Sequence, residues 1–550
     1  GCIAIQANQN EMHGGQSIPN FDYSMAPGVV KTFRKQYFIH LGDYFSAALG
    51  LSLEDARLLA KAIQKSLPAD IRFSTAASYK RRLMEFLPAH QARGGYQPIS
   101  AEAPTSRPSS RSKGTDSVKA ATESTDRATY QAMEAFIHNL NTMNSRAGAQ
   151  VPFSSVNYGT DTSPEARMVI RNLLQATRAG LGGGETPIFP VQIFKVKEGV
   201  NYNPGDPNYD LFQLAIETSA KRLFPNFSFL DAPFNKQYYR PNDYNSEVAY
   251  MGCRTRVMGN VHDPSREVTC GRGNLSFTSV NLPRLALEAK GDLEKFYAGL
   301  DEMTELVIRQ LYHRFKIQCA KRCRNYPFLM GQGVWIDSET LEPGDSIAEL
   351  LKHGTLTMGF IGLAECLKSL IGKHHGESPE AQKLGLQIIG RMRRHMDEES
   401  ARTGLNFTLI ATPAEGLSGR FVRIDRQRYG NLKGITDRDY YTNSFHIPVY
   451  YPIAAAKKIA LEAPYHALTN AGHISYVEMD GDPTKNLKAF EAIIRCMHDH
   501  GIGYGSVNHP VDRDPVCGYN GLIDNVCPRC GRSEAEHHHR RVIPRITCGQ

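Results

Sequence analysis

The chain has 550 residues, 41% apolar and 22% charged, with a formal net charge of +8. That length holds several ordinary domains or one large barrel with appendages, and the composition is that of a folded globular protein. No apolar run approaches the roughly 20 residues of a membrane helix, and no Lys/Arg block concentrates the charge into a nucleic-acid surface. What remains is a mild bias toward anionic ligands such as nucleotides.

The start, Gly1-Cys2-Ile3-Ala4-Ile5, has neither an initiator Met nor a basic n-region and reads as an internal start, not a signal peptide. Residues 14–20 (GGQSIPN) read as a loop, and 51–66 as an amphipathic helix capped by Ser52. At 91–118 the chain turns rich in Ser, Pro and Gly without apolar period, which predicts a flexible insertion. A helix follows at 126–145. Then strands and helices alternate: strands at 151–158 and 188–196, helices at 163–179 and 209–223. The segments 357–371, 379–399, 407–412 and 445–450 continue that rhythm. Such alternation implies an α/β sheet or barrel with buried strands. From about residue 508 the chain leaves it and becomes loop-rich.

Eleven cysteines, unevenly spaced, do not form a disulfide framework and point to a reducing, cytoplasmic compartment. Near the end, Cys527 and Cys530 form a Cys-x2-Cys pair with Cys517 ten positions upstream. Soft thiolates at that spacing suit zinc, which adds no redox chemistry. Asp514, His509 or one of His537, His538 and His539 could supply a fourth ligand; a solvated loop is the ordinary reading of the three histidines. Cys253 lies in a Met-Gly-Cys-Arg-Thr run (251–255), where glycine allows a sharp turn that presents the sulfur. The ordinary alternative is a buried structural cysteine. No Cys/His protease pair adjoins it.

Seven phrases in order carry a resemblance: VPFSSVNYGTDTSPEAR (151–167), GDPNYDLFQLAIETSAKRLFPN (205–226), MGCRTRV (251–257), GRGNLSFTSVNLPRLALEAKGD (271–292), TPAEGLSGRF (412–421), ITDRDYYTNSFHIPV (435–449) and EAPYHALTNAGHISYVE (462–478). Together they closely resemble the anaerobic, class III ribonucleotide reductase catalytic subunit. The resemblance implies a ten-stranded α/β barrel over 1–507, with its first strand upstream of Gly1. A zinc knuckle and glycyl-radical loop would occupy 508–550. It implies reduction of ribonucleoside triphosphates to deoxyribonucleotides. Gly549, in Arg545-Ile546-Thr547-Cys548-Gly549, would store the radical, and a glycine suits this because no Cβ crowds a planar backbone radical. Cys253 would become the thiyl that takes the substrate's 3′ hydrogen, and Asn274 would orient the ribose hydroxyls.

Thr412, Ala414 and Glu415 sit where a strand-to-helix turn could hold substrate phosphates on its N–H groups, although a plain helix cap reads equally well. The run 441–446 (YTNSFH) suits packing and hydrogen bonding before catalysis. Relatives often carry two Cys-x2-Cys pairs; here Asp514 stands at the first position, which makes Asp514, Cys517, Cys527 and Cys530 the expected ligand set. By resemblance, a radical-SAM activase with a [4Fe-4S] cluster would install the radical, and formate or a thiol protein would supply electrons. ATP and dNTPs would act as effectors on a homodimer. Two other functions compete: a lyase-type glycyl radical enzyme, and an inert barrel bearing a zinc module.

Overall fold

The computed structural model describes residues 5, 11, 14–66, 71–79, 117–144, 150–514, 516–523 and 525–533. Of the expected insertion, residues 91–116 lie outside this set, as do Gly549 and the 537–539 histidines. Two compact units are present, one built from 21–136 and 161–176, the other from the remainder.

The smaller unit is helical. It contains α1 (Phe21–Leu49), α2 (Leu53–Ser66) and the larger parts of α3 (Ser117–Thr142) and α4 (Pro164–Ala179). Ser52 caps α2 as expected, its hydroxyl accepting from the Asp55 N–H at 3.1 Å and donating to the Asp55 carboxylate at 2.7 Å. Phe33, Tyr37, Phe45, Leu59, Ile63 and Ala121 form its core.

The larger unit carries the sheets, and its elements follow in chain order. β1 (Gln16–Ile18), β2 (Ser154–Tyr158), β3 (Val191–Val196), α5 (Tyr209–Arg222) and β4 (Asn226–Phe229) come first. β5 (Tyr250–Met251), β6 (Thr255–Arg256), β7 (Asn274–Asn281), α6 (Leu282–Ala289) and α7 (Leu293–Cys319) follow. Then come β8 (Thr355–Ile361), α8 (Leu363–Ile371), α9 (Pro379–Thr403), β9 (Asn406–Ala411) and α10 (Glu415–Tyr429). The last are α11 (Ala455–Leu468), β10 (Ser475–Glu478), α12 (Leu487–Asp499), β11 (Tyr504–Asn508), β12 (Asp512–Arg513) and β13 (Asn520–Gly521).

The segment expected to be a loop at 14–20 includes β1, which gains order by pairing in parallel with Ser154–Val156. The run 445–450 is irregular, not a strand. Its backbone instead serves side chains: His375 Nε2 donates to the Phe445 carbonyl at 2.7 Å, and the Glu462 carboxylate takes the Ile447 N–H at 3.0 Å.

One sheet runs β1-β2-β3-β4-β11-β10, with β11 antiparallel to β4 and β10 parallel to β11. A second runs β7-β8-β9, all parallel. Gly472, just before β10, forms a parallel bridge to Ile410 of β9, so backbone pairing continues from one sheet to the other. Nine strands thus follow in a single order, four in one direction and five in the other. A tenth is not among the described residues.

The two faces of β8 and β9 differ in chemistry. Leu356, Met358, Phe360, Phe407, Leu409 and Ala411 join the main core with residues of α6, α7, α8 and α9. Burying such side chains contributes about 1.5–3 kcal/mol each. The alternate residues include Thr355, Thr357, Gly359, Asn406 and Thr408, small or polar, with Ile361 and Ile410 toward the strands' C-terminal ends. A period-2 strand turns them away from the helices.

Candidate functional site

Cys253 sits at the tip of a hairpin whose arms are β5 and β6. The turn needs Gly252: its φ is +57°, and a Cβ there would lie 2.7 Å from the Phe153 ring. Both sheets hold this hairpin. From the first, Asn157 takes the Tyr250 N–H at 2.9 Å and donates to the Tyr250 carbonyl at 2.8 Å; Ser155 Oγ accepts from the Gly252 N–H at 2.7 Å. From the second, the Ala411 and Thr412 carbonyls each accept from the Arg254 guanidinium at 3.1 Å, with Ser444 Oγ at 3.4 Å. Arg254 is only 1% exposed, among the most enclosed large side chains described.

Two buried tyrosines support the hairpin. Tyr250 and Tyr504 stack with centroids 4.7 Å apart and planes 21° from parallel. Tyr504 donates its O–H to the Gly252 carbonyl at 3.2 Å and accepts from Asn226 Nδ2 at 2.9 Å. His473 Nδ1 lies 2.9 Å from the Thr469 carbonyl, which only accepts, so the proton is on Nδ1 and Nε2 takes the Tyr250 O–H at 3.0 Å. Burial holds the His473 pKa well below the ordinary range and raises those of both phenols. Cys253 itself is half-buried and disulfide-bonded, whereas the other described cysteines are free. The thiol expected there exists only after that bond is reduced.

Asn274 opens β7. A register shift between Asn274 and Ser276 turns it onto the same face as Thr355 and Thr357, whereas unbroken alternation would aim it at the helices. Its amide donates to Thr355 Oγ1 at 3.0 Å and to Thr357 Oγ1, and Thr357 meets Thr408 at 2.8 Å. Further along, Ser279 and Thr412 hydroxyls meet at 2.8 Å across β8. Gly359 makes room for that contact, because a Cβ would lie 2.0 Å from Thr412 Oγ1.

Residues 412–414 form the expected strand-to-helix turn. Ala414 is the N-cap of α10 and offers no side chain to the helix N–H groups. Asn443 Oδ1 takes the Ala414 N–H at 2.8 Å. Glu415 begins the helix. The N–H groups of a helix N-terminus favour anions. In the 441–446 run, Tyr441 donates to Asp425 at 2.9 Å and Thr442 to Glu365 at 2.6 Å, the packing and bonding role expected of it.

The expected ligand set also comes together. Asp514, Cys517, Cys527 and Cys530 bring one donor atom each within 4.8 Å of one another. Asp514 Oδ2 takes the Cys530 S–H at 3.1 Å, and Cys517 and Cys527 sulfurs lie 3.6 Å apart. Asp514 Oδ1 accepts from the N–H groups of Val516 (2.8 Å) and Cys517 (3.3 Å), as the first ligand of a knuckle does. The spacings 514/517 and 527/530 are equal, so the two halves match. Three sulfurs and one carboxylate oxygen fit tetrahedral zinc. His509 does not join them; it is buried, with Nε2 3.1 Å from the Ser219 carbonyl.

Sequence reasoning missed Arg254, Tyr250, Tyr504 and His473. Arg254 directly follows the cysteine it anchors, and His473 lies in one of the phrases that carried the resemblance.

The chain is thus a large α/β protein with a glycine-turn cysteine held between opposed strand sets and a separate thiol-rich knuckle. Solved structures share the fold. The anaerobic ribonucleotide reductase from Thermotoga maritima with MES in the active site has a TM-score of 0.53 at 17% identity, covering 75% of this chain and 66% of that one. The same organism's reductase in complex with dATP and CTP also gives 0.53, at 15% identity over 92% and 85%. The family model described as anaerobic ribonucleoside-triphosphate reductase matches residues 1–547. The chain belongs to that family. The protein of this name from Salmonella typhimurium is 34% identical over 77% of this chain and 59% of its own length. The one from Enterobacteria phage T4 is 35% identical over 79% and 70%. The chain thus spans about three fifths of the length of the bacterial relatives it matches.

Proposed function

We propose that this chain carries the catalytic core of an enzyme that reduces ribonucleoside triphosphates to deoxyribonucleotides without oxygen. The observation that carries the reading is the Cys253 hairpin, pinned by Asn157 and Ser155 on one side and by Arg254 on the other. A residue that abstracts hydrogen must be prepositioned, and the hydrogen bonds on both sides of this turn support that role. The nine-strand order supports a ten-stranded barrel around it.

In this reading a radical stored on Gly549 passes to Cys253, whose sulfur takes the 3′ hydrogen of the ribose. The 2′ hydroxyl then leaves as water. Asn274, turned inward by its register shift, orients the ribose hydroxyls. The α10 N-terminus, with Thr412, Ala414 and Glu415, receives the phosphates. A substrate of this class fits the complex of the Thermotoga relative with dATP and CTP, and so do dNTP effectors. A radical-SAM activase, formate or a thiol protein as reductant, a homodimeric assembly and a cytoplasmic setting complete the proposal. No helix of the described residues is long and apolar enough to cross a membrane.

Zinc belongs on Asp514, Cys517, Cys527 and Cys530, where it supplies a redox-silent cross-link between the two half-knuckles.

The test is Cys253→Ser in reduced, activated enzyme. Zinc content and fold persist while dNTP formation is abolished; continued formation would refute the assignment. In Gly549→Ala the anaerobic glycyl EPR doublet disappears, and a persisting doublet would move the radical elsewhere.

A further inference from the structure

A groove between α9 and α11 has no task in the reading above. It encloses about 670 Å³, within the roughly 300–1,000 Å³ of small-molecule sites. None of its lining residues belongs to the Cys253 loop, the Asn274 face, the α10 turn or the knuckle. Leu386 and Leu461 give it apolar walls, and Lys383, Arg394 and Lys457 add three cations that form no ion pair among the described residues. Glu377 also lines it but is already engaged, accepting from Lys368 Nζ at 3.2 Å and from the His374 N–H at 2.7 Å. The start of α9 is closed by its own Ser378, whose Oγ accepts from the Ala381 N–H at 3.2 Å. The positive character of the groove therefore comes from the three side chains, not from the helix end.

We propose that this groove binds a nucleoside triphosphate and that its occupancy is felt at the Cys253 loop. The binding stands independently of the thiyl reading; only its consequence for reduction rests on that reading.

Three cations without partners call for a multiply charged anion, and apolar walls call for a flat apolar body beside it. A base joined to a triphosphate combines the two. Lys383 and Arg394 are eleven residues apart on one helix, about 16 Å, which suits an extended ligand and not a single small ion. Gly390 lies between them and also lines the groove. Glycine inside a helix is less stable than alanine, so it needs a reason. At Gly385, one helical turn earlier, the reason is internal: a Cβ would lie 2.5 Å from the Tyr465 hydroxyl. At Gly390 a Cβ would meet nothing within 4 Å. Its effect is to keep the floor of the groove open. The His375 imidazole, fully buried in the wall, donates from Nε2 to the Phe445 carbonyl at 2.7 Å, and its Nδ1 is an acceptor without a partner.

The same histidine supplies the route to the hairpin. Phe445 follows Ser444, whose Oγ accepts from the Arg254 guanidinium at 3.4 Å, and Arg254 follows Cys253. Two hydrogen bonds and a short stretch of backbone thus join the groove wall to the loop.

The test is photolabelling of the full chain with 8-azidoadenosine triphosphate, read by peptide mass spectrometry. Label is expected on peptides from 375–394 or 455–468, and label confined to other peptides would overturn the proposal. ATP should suppress that label several-fold and inorganic tripolyphosphate should not; equal suppression would overturn the nucleoside assignment. Gly390→Leu fills the floor without a clash in the chain itself, so thermal stability should be kept while groove labelling falls several-fold. Unchanged labelling would overturn the site, and Lys383→Glu with Lys457→Glu decides the matter if the leucine variant does not fold. Hydrogen exchange at 250–256 and 443–447 should slow on adding ATP, by less in Gly390→Leu than in the parent; equal slowing would overturn the coupling. Continued dNTP synthesis in Cys253→Ser would refute the thiyl reading and leave the labelling result standing.

Discussion

Arg254→Met tests the clamp on the Cys253 loop most directly. Methionine keeps the length and the apolar stem of the side chain but cannot donate to the Ala411 and Thr412 carbonyls, both at 3.1 Å. Hydrogen bonds to a charged group contribute about 1.5–3 kcal/mol each. Against that loss stands relief from enclosing a cation, and replacing a buried charge by an apolar residue recovers part of the cost. The net loss is about 3 kcal/mol, concentrated where the hairpin meets the end of β9. At 1.36 kcal/mol per decade, that is roughly a hundredfold rise in the local opening of residues 250–256. Hydrogen exchange read by mass spectrometry on peptides covering the hairpin measures it, with the knuckle peptides at 512–533 as an internal control. Activity should fall with the loss of loop order while zinc content stays the same. Unchanged protection at 250–256 would show that Arg254 does not hold the loop and would remove the main support for a prepositioned Cys253.

Gly252→Ala forces a side chain into left-handed backbone, at about 1–2 kcal/mol, and into the Phe153 ring 2.7 Å away. Thermal stability and dNTP synthesis should both drop, with Phe153→Leu partly restoring the former. At the knuckle, Asp514→Ala should weaken zinc retention against a chromophoric chelator by at least tenfold, whereas Asp514→Cys should retain or tighten it; equal retention in the alanine variant would exclude Asp514 as a ligand. Burial lowers His375 and His446 to about 4 and His466 to about 3. Between those values and about 6.5 the unfolded chain binds more protons than the folded one, so stability rises with pH across that window and is lost on acidification. Denaturation midpoints at pH 5 and 7 should differ less in His375→Gln. Finally, omission of a thiol reductant should leave the enzyme inactive, because Cys253 is disulfide-bonded.

The sequence was most readable where chemistry depends on local spacing. The Cys527/Cys530 pair with Cys517 upstream points to a metal knuckle before any fold is known, the resemblance adds Asp514 as a candidate fourth ligand, and the glycine before Cys253 points to its turn. Strands such as 154–158 and helices such as 209–222 were found because an apolar run or a helical period lies within one segment. Long-range features were not readable. β1 is three residues whose order comes from pairing with β2, about 140 positions away. The inward turn of Asn274 depends on a one-residue register shift that no local pattern marks. Arg254 reads as a surface charge until its carbonyl partners, more than 150 positions later, are in place. His509 was an alternative fourth ligand, and only the fold puts it on Ser219.

The division of labour between the two faces of β8 and β9 has a consequence for how this protein can change. Leu356, Met358, Phe360, Phe407 and Leu409 hold the fold from one side. Thr355, Thr357, Gly359 and Thr408 occupy the other. If the proposed function holds, stability and substrate recognition are written in alternate letters of the same strands. On that reading a library restricted to the second set would explore new substrates, at a folding cost where the site is tight, as at Gly359 and the fully buried Thr357, whereas one restricted to the first would lose the scaffold and learn nothing about its chemistry.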